Sequence, residues 1–253
     1  MNIIINKNNI QQYINNGFIK YNNNILIINN TLDIIDKLII NLNNIIEIRT
    51  NIDLNVNNIN ISKCYNLEKI ILTNSNLSIL SLGKINKIKY LSINETNIDN
   101  INTNYLINLE YLNISCTPIR YLNTKKLINL KYLEMEYTKI NTFDTINLKN
   151  LEYLNCSNCE NLEYINFNNL SKLNYLDIEN TYIDEIYLNK YNFYNLKILY
   201  FNKKIIINND NNNDNNDNNN EKIKILKEEI NILKEELLCK DKEINLLNKK
   251  LNF

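Results

Sequence analysis

Cys156 and Cys159 have the Cys-x-x-Cys spacing of redox and zinc motifs, and Glu134, Glu136, Asp177 and Glu179 are four carboxylates at related spacings. A lone cysteine pair supplies only part of a tetrahedral zinc site, and the chain has no histidine to complete it. The same absence removes the commonest general base. With glycine only at Gly17 and Gly83, no phosphate-cradling loop can be assembled. Cys64, Cys116 and Cys239 complete an odd, scattered set of five cysteines, which suits a reducing compartment. The carboxylates could serve as a glycosidase-like pair or as calcium ligands. Which of these they can do depends on the elements that carry them.

Those elements are repeats. From about residue 22 to 207 the chain cycles through apolar, two variable, apolar, one variable, apolar, two variable, and then a small polar residue such as Thr. Units begin at Asn22, Ile45, Leu67, Ile88, Leu109, Leu130, Leu151, Leu173 and Leu196, with a spacing of 21 to 23. One copy reads Leu109, Leu112, Ile114, Thr117, Ile119 and Leu122. Apolar residues two apart face a short strand inward, and the later apolar positions turn the chain back across the same core. No unit can bury its apolar side alone, but stacked units share one interior.

This pattern resembles the leucine-rich repeat family in its shorter form. The biased composition and the C-terminal heptads are also similar to repeat proteins of AT-rich genomes such as insect poxviruses or slime moulds. The resemblance implies an α/β leucine-rich-repeat solenoid, with a parallel sheet on the concave face and a convex side that is irregular or made of short 3-10 turns. Where the family has Asn, this chain has Thr96, Thr117, Thr138 and Thr181, with Ser75, Cys159, Asp53 and Asn30 elsewhere. A Thr hydroxyl could bridge backbone groups of adjacent turns; Cys159 would do so poorly. Residues 1–21, with helical spacing at Ile10, Tyr13 and Ile14 stopped by Gly17, are expected to cap the first unit.

In this frame the outward strand positions align in columns. One reads Tyr90, Tyr111, Tyr132, Tyr153, Tyr175. These rings either form contact area for a partner or stabilise the sheet through cross-strand pairing. The next two columns bring Glu134, Glu136, Asp177 and Glu179 beside them, which favours a partner bearing Lys or Arg, or else forms a solvated polar face. An open face has no pocket to exclude water or raise a carboxyl pKa, and the intervening copy offers calcium only Asn155 and Ser157. Neither an enzyme nor a cofactor or metal site is expected. A fourth column, Glu68, Lys89, Glu110, Lys131 and Glu152, alternates in sign and reads as a stacking device.

After the repeats, residues 208–220 are all Asn or Asp, a linker with no apolar residue to build a core. Beyond it, Ile223, Leu226, Ile230, Leu233, Leu237, Ile244, Leu247 and Leu251 form a heptad seam over 221–253, interrupted by Lys240. That predicts a helical coiled coil and a homodimer; a single helix folded back on the solenoid is the alternative. Basic and acidic residues balance at 28 each, so there is no broad basic field for nucleic acid or an anionic membrane. No apolar run reaches the length of a membrane span, and no secretory signal opens the chain. The expected product is a cytoplasmic protein-interaction scaffold. A structural role, in which the coiled coil recognises another helix, is the alternative.

Overall fold

The computed structural model describes residues 2–29, 35–50, 54–184, 195–201 and 204–207. The linker 208–220 and the whole heptad seam, Ile223 to Leu251, lie outside the described residues. The chain divides into two compact units, Met1–Ile206 and Ile207–Phe253, and the repeats build the first.

Short strands dominate because each unit commits only three or four residues to its front strand before it must turn. A sheet of eleven strands runs in the order Lys204–Ile207, Ile198–Phe201, Tyr175–Asp177, Tyr153–Asn155, Tyr132–Glu134, Tyr111–Asn113, Tyr90–Ser92, Lys69–Ile71, Glu47–Thr50, Ile25–Ile28 and Ile19–Asn22. Neighbours from Ile25–Ile28 to Ile198–Phe201 pair in parallel, and Ile19–Asn22 pairs antiparallel with Ile25–Ile28. Ile48, Ile70, Leu91, Leu112, Leu133, Leu154 and Leu176 stack in register and are fully buried. Parallel β-sheets need both faces covered. One face is met here by the return half of every unit, through residues such as Leu77, Ile98, Ile119 and Ile140, all at 0% exposure.

The return side is irregular, as expected, in the units at Ile88 and Leu109, but it forms strands elsewhere. Asn2–Asn6, Ile35–Asn41, Val56–Asn60 and Ile79–Ser81 make a second parallel sheet, and Thr142–Asp144 with Tyr164–Asn166 a third. The long N-terminal strands are rich in β-branched Ile, which favours extended backbone over a tight turn. Helix is confined, among the described residues, to Ile10–Asn15, which rests Ile10, Tyr13 and Ile14 on the core and ends before Gly17 at φ +77. Over the described residues the fold is therefore a parallel β-solenoid with almost no helix.

The first unit also begins one residue later than its Asn22 start suggests. Leu26 pairs with Ile48, and Leu26 and Ile28 are buried while Ile25 and Ile27 are half-exposed. A one-residue slip exchanges the two faces of a strand. Four apolar residues in succession, Ile25 to Ile28, leave both registers open in the sequence.

Hydrogen bonds join successive units in ways the repeat pattern does not disclose. Thr96, Thr117 and Thr181 do not bridge adjacent turns: each hydroxyl donates to the carbonyl three residues back, Ile93, Ile114 and Ile178 respectively. The bridge at this position is made by Cys159, whose thiol reaches the Met135 carbonyl at 2.9 Å and lies 3.2 Å from the Thr138 hydroxyl. A second threonine column, buried on the return side, does join units. Thr103 donates to the Asn123 carbonyl at 2.5 Å, Thr124 to that of Asp144 at 2.8 Å, and Thr145 to that of Asn166. Asparagines just ahead of the first apolar position form a third ladder: Asn66, Asn108, Asn129 and Asn150 donate to the carbonyls of Asn43, Asn86, Ile107 and Ile128 at 2.7 to 3.0 Å.

Candidate interaction face

The tyrosine column is held by strand register. Tyr90, Tyr111, Tyr132, Tyr153 and Tyr175 are mutual partners in consecutive parallel pairs, each next to an inward leucine. Their rings stand on the face away from the core. Tyr90 and Tyr111 stack at 4.2 Å with 4° between planes, and Tyr153 and Tyr175 at 4.2 Å with 9°. Tyr132 tilts 35° from Tyr153 at 6.2 Å and is the most exposed of the five, at 43%. The column extends at both ends. Lys69 places its Nζ 5.3 Å from the Tyr90 ring centre, and Tyr200 lies against Tyr175 at 5.7 Å.

The four carboxylates fall where the column reading puts them. Glu134 and Asp177 occupy the strand position two beyond the tyrosines, with Asn155 paired between them. Glu134 accepts the Tyr111 hydroxyl at 2.7 Å and the Asn113 amide at 3.1 Å. Burial pushes its carboxyl above the usual range; the Tyr111 hydroxyl opposes that, and the Glu136 charge adds to it. Glu136 accepts Asn158 Nδ2 at 3.2 Å, and Asp177 Oδ1 accepts the Glu179 backbone N–H at 3.0 Å, closing an Asx turn at the strand end. Burial also raises the phenols: Tyr153 is pushed up to about 12, and Tyr111 and Tyr175 rise well above the ordinary value.

The alternating column closes into pairs. Lys89 meets Glu68 at 3.0 Å and Lys131 meets Glu110 at 2.8 Å, both largely exposed. Exposed pairs contribute little to stability, but they neutralise the flank of the tyrosines opposite the carboxylates.

None of the four described cysteines has its thiol lowered towards the thiolate. Burial drives Cys156 well above the ordinary thiol value, Cys159 up, and Cys64 up to about 11. Cys116 is exposed, yet burial of its thiol and the charges of Glu95 and Glu136 raise it too. No three of His, Cys, Asp or Glu come together to hold a metal among the described residues, and no described helix is long and apolar enough to cross a membrane.

No family model matches the chain, and no curated protein sequence does. Its resemblances are to solved structures. The functional domain of InlJ from Listeria monocytogenes, which includes a cysteine ladder, superposes with a TM-score of 0.52 at 16% identity, over 65% of this chain and 42% of that one. A leucine-rich-repeat protein of Leptospira interrogans gives 0.45 at 16% identity, over 66% of each chain. An internalin of Listeria monocytogenes gives 0.40 at 16%, over 71% of this chain and 74% of that one. The chain thus spans about two fifths of the first of these. Its own cysteines do not repeat in one column: Cys64, Cys116, Cys156 and Cys159 hold four different positions of the unit. The fold of this chain is that of the leucine-rich-repeat proteins.

Proposed function

We propose that the chain is a non-enzymatic protein-interaction scaffold that holds a partner protein on its tyrosine-bearing sheet face. The observation that carries this reading is the in-register column of five half-exposed rings beside four carboxylates, on a face its own chain leaves uncovered within the described residues. Tyrosine gives large contact area at low conformational entropy cost. The heptad segment 221–253 pairs two copies, so that two faces act together and avidity gains roughly 10²–10⁴-fold where both engage. The four described cysteines are free thiols, which fits a reducing, cytoplasmic setting.

A second reading is favoured by the two stacked pairs, Tyr90 on Tyr111 and Tyr153 on Tyr175. Rings that contact one another stabilise the sheet, which would leave recognition to the coiled coil as a structural or assembly role. Replacing Tyr111, Tyr132 and Tyr153 by Ser separates the two. Loss of a partner captured by the full chain, with an unchanged circular-dichroism spectrum, supports the first. Retention of that partner, and its loss on deleting 221–253, supports the second.

A further inference from the structure

The charge on the tyrosine face is one-sided. On one flank Lys89 and Lys131 are already engaged by Glu68 and Glu110. On the other flank and at the turn beyond it, from the unit at Leu67 onward, the described outward positions carry Glu95, Glu134, Glu136, Asp177 and Glu179 and no Lys or Arg. Tyr111 and Asn113, which bond Glu134, and Asn158, which bonds Glu136, are all uncharged. Beside Glu136, in the preceding unit, Ser115 is buried to 8% exposure and its hydroxyl has no hydrogen-bond partner, unlike Ser157, which donates to Asn155 Oδ1 at 2.8 Å. The same column shows within the chain what it does with a cation: Lys69 lies over the Tyr90 ring and 3.8 Å from Glu47, one unit on either side.

The acids also have a spacing. Glu134 with Glu136 and Asp177 with Glu179 stand two units apart, with Asn155 between them in register. Two parallel-strand spacings are about 10 Å. A β-strand laid across the units presents same-side residues about 7 or 13 Å apart. A polyproline II segment returns to the same side every third residue, after about 9 Å, and grooves lined by aromatic rings hold such segments. Present contacts do not exhaust these carboxylates, since each offers about four acceptor sites.

We infer that the face receives an extended polyproline II segment bearing two cationic side chains three residues apart, one seated over Tyr132 between Glu134 and Glu136 and the other at Asp177 and Glu179. This rests on the interaction-scaffold reading and names the chemistry of the partner.

The test is fluorescence anisotropy with the full chain at low salt, using two labelled proline-rich peptides of equal charge. One has its arginines three residues apart and the other four. The first should bind about fivefold more tightly, with affinity falling as salt rises. Glu134→Gln with Glu136→Gln should erase the preference, and Asp177→Asn with Glu179→Gln should do the same from the other end, so a folding defect in one variant leaves the other to decide. Equal binding of both peptides, no binding of either, or displacement by spermidine as readily as by the peptide overturns the inference. A protein partner lost on tyrosine substitution but indifferent to the Gln variants would leave the scaffold reading standing and end this one.

Discussion

Tyr111 donates its hydroxyl to Glu134 Oε1 at 2.7 Å, reaching from its own strand to the carboxylate two places along the next. The bond joins the tyrosine column to the acidic column and orients the carboxylate that burial would otherwise disfavour. Burial raises the folded-state pKa of Glu134, so the folded chain holds that proton more tightly than the unfolded one. Stability from this group falls as pH rises from the ordinary carboxyl value through the raised one, and is constant above it.

Tyr111→Phe should therefore move the Glu134 titration further up, because the contact that lowers it is gone. A hydrogen bond to a charged group is worth about 1.5–3 kcal/mol, and the variant should lose stability towards the lower end of that range at neutral pH. Carbon-detected NMR of the glutamate carboxyls, with urea unfolding, reads both. An unmoved Glu134 titration means the bond is not held in solution.

Alkaline pH should unfold the solenoid through its tyrosines. Tyr111, Tyr153 and Tyr175 are all raised above 10.0 in the folded chain, chiefly by burial. A group with a raised folded pKa contributes stability that is complete below its unfolded value and lost as pH rises above it. Unfolding by urea should thus be insensitive to these groups up to about pH 10 and weaken steeply beyond. The tyrosinate absorbance lost on replacing Tyr111, Tyr153 and Tyr175 by Phe should appear together with loss of circular dichroism. Ionisation of those three in a still-folded chain would mean that their rings are open to water.

The columns are legible in the sequence because both the strand period and the unit length are local: Leu112, Leu133 and Leu154 announce their neighbours Tyr111, Tyr132 and Tyr153. What stays hidden is carried by residues whose identity looks like background. Asparagine is so abundant that the ladder of Asn66, Asn108, Asn129 and Asn150 cannot be told from compositional bias, although each precedes a buried leucine. Thr103, Thr124 and Thr145 sit at the bend, outside the apolar template, and so pass as loop residues. The return side reads as irregular because its period shows only where units such as Ile35–Asn41 lengthen.

That ladder can be separated from bias by substitution. Asn129 donates to the Ile107 carbonyl at 2.8 Å, whereas Asn100 is an exposed residue on the return side. Asn129→Ala should cost about 1 kcal/mol and Asn100→Ala less than about 0.5. Equal losses on urea unfolding would show that the inter-unit amides add nothing.

From the unit at Leu67 to the unit at Leu173, each turns out of its front strand through one left-handed residue, and the chain fills that position unevenly. Asn74, Asn158 and Asn180 hold φ of 49, 57 and 55, while Glu95, Cys116 and Tyr137 hold 56, 55 and 54. The left-handed region costs an ordinary L-residue about 1–2 kcal/mol, and Asn less because its side chain bonds locally. The strain at the three middle units is therefore avoidable. Tyr137→Asn should stabilise the chain by a few tenths to about 1 kcal/mol, since its ring is 57% exposed and little packing is lost. Asn158→Val should destabilise by more than about 1 kcal/mol, because a β-branched residue tolerates this backbone worst. Thermal unfolding of both variants reads the pair. If the two shift the midpoint in the same direction, the turn conformation is not what limits these units.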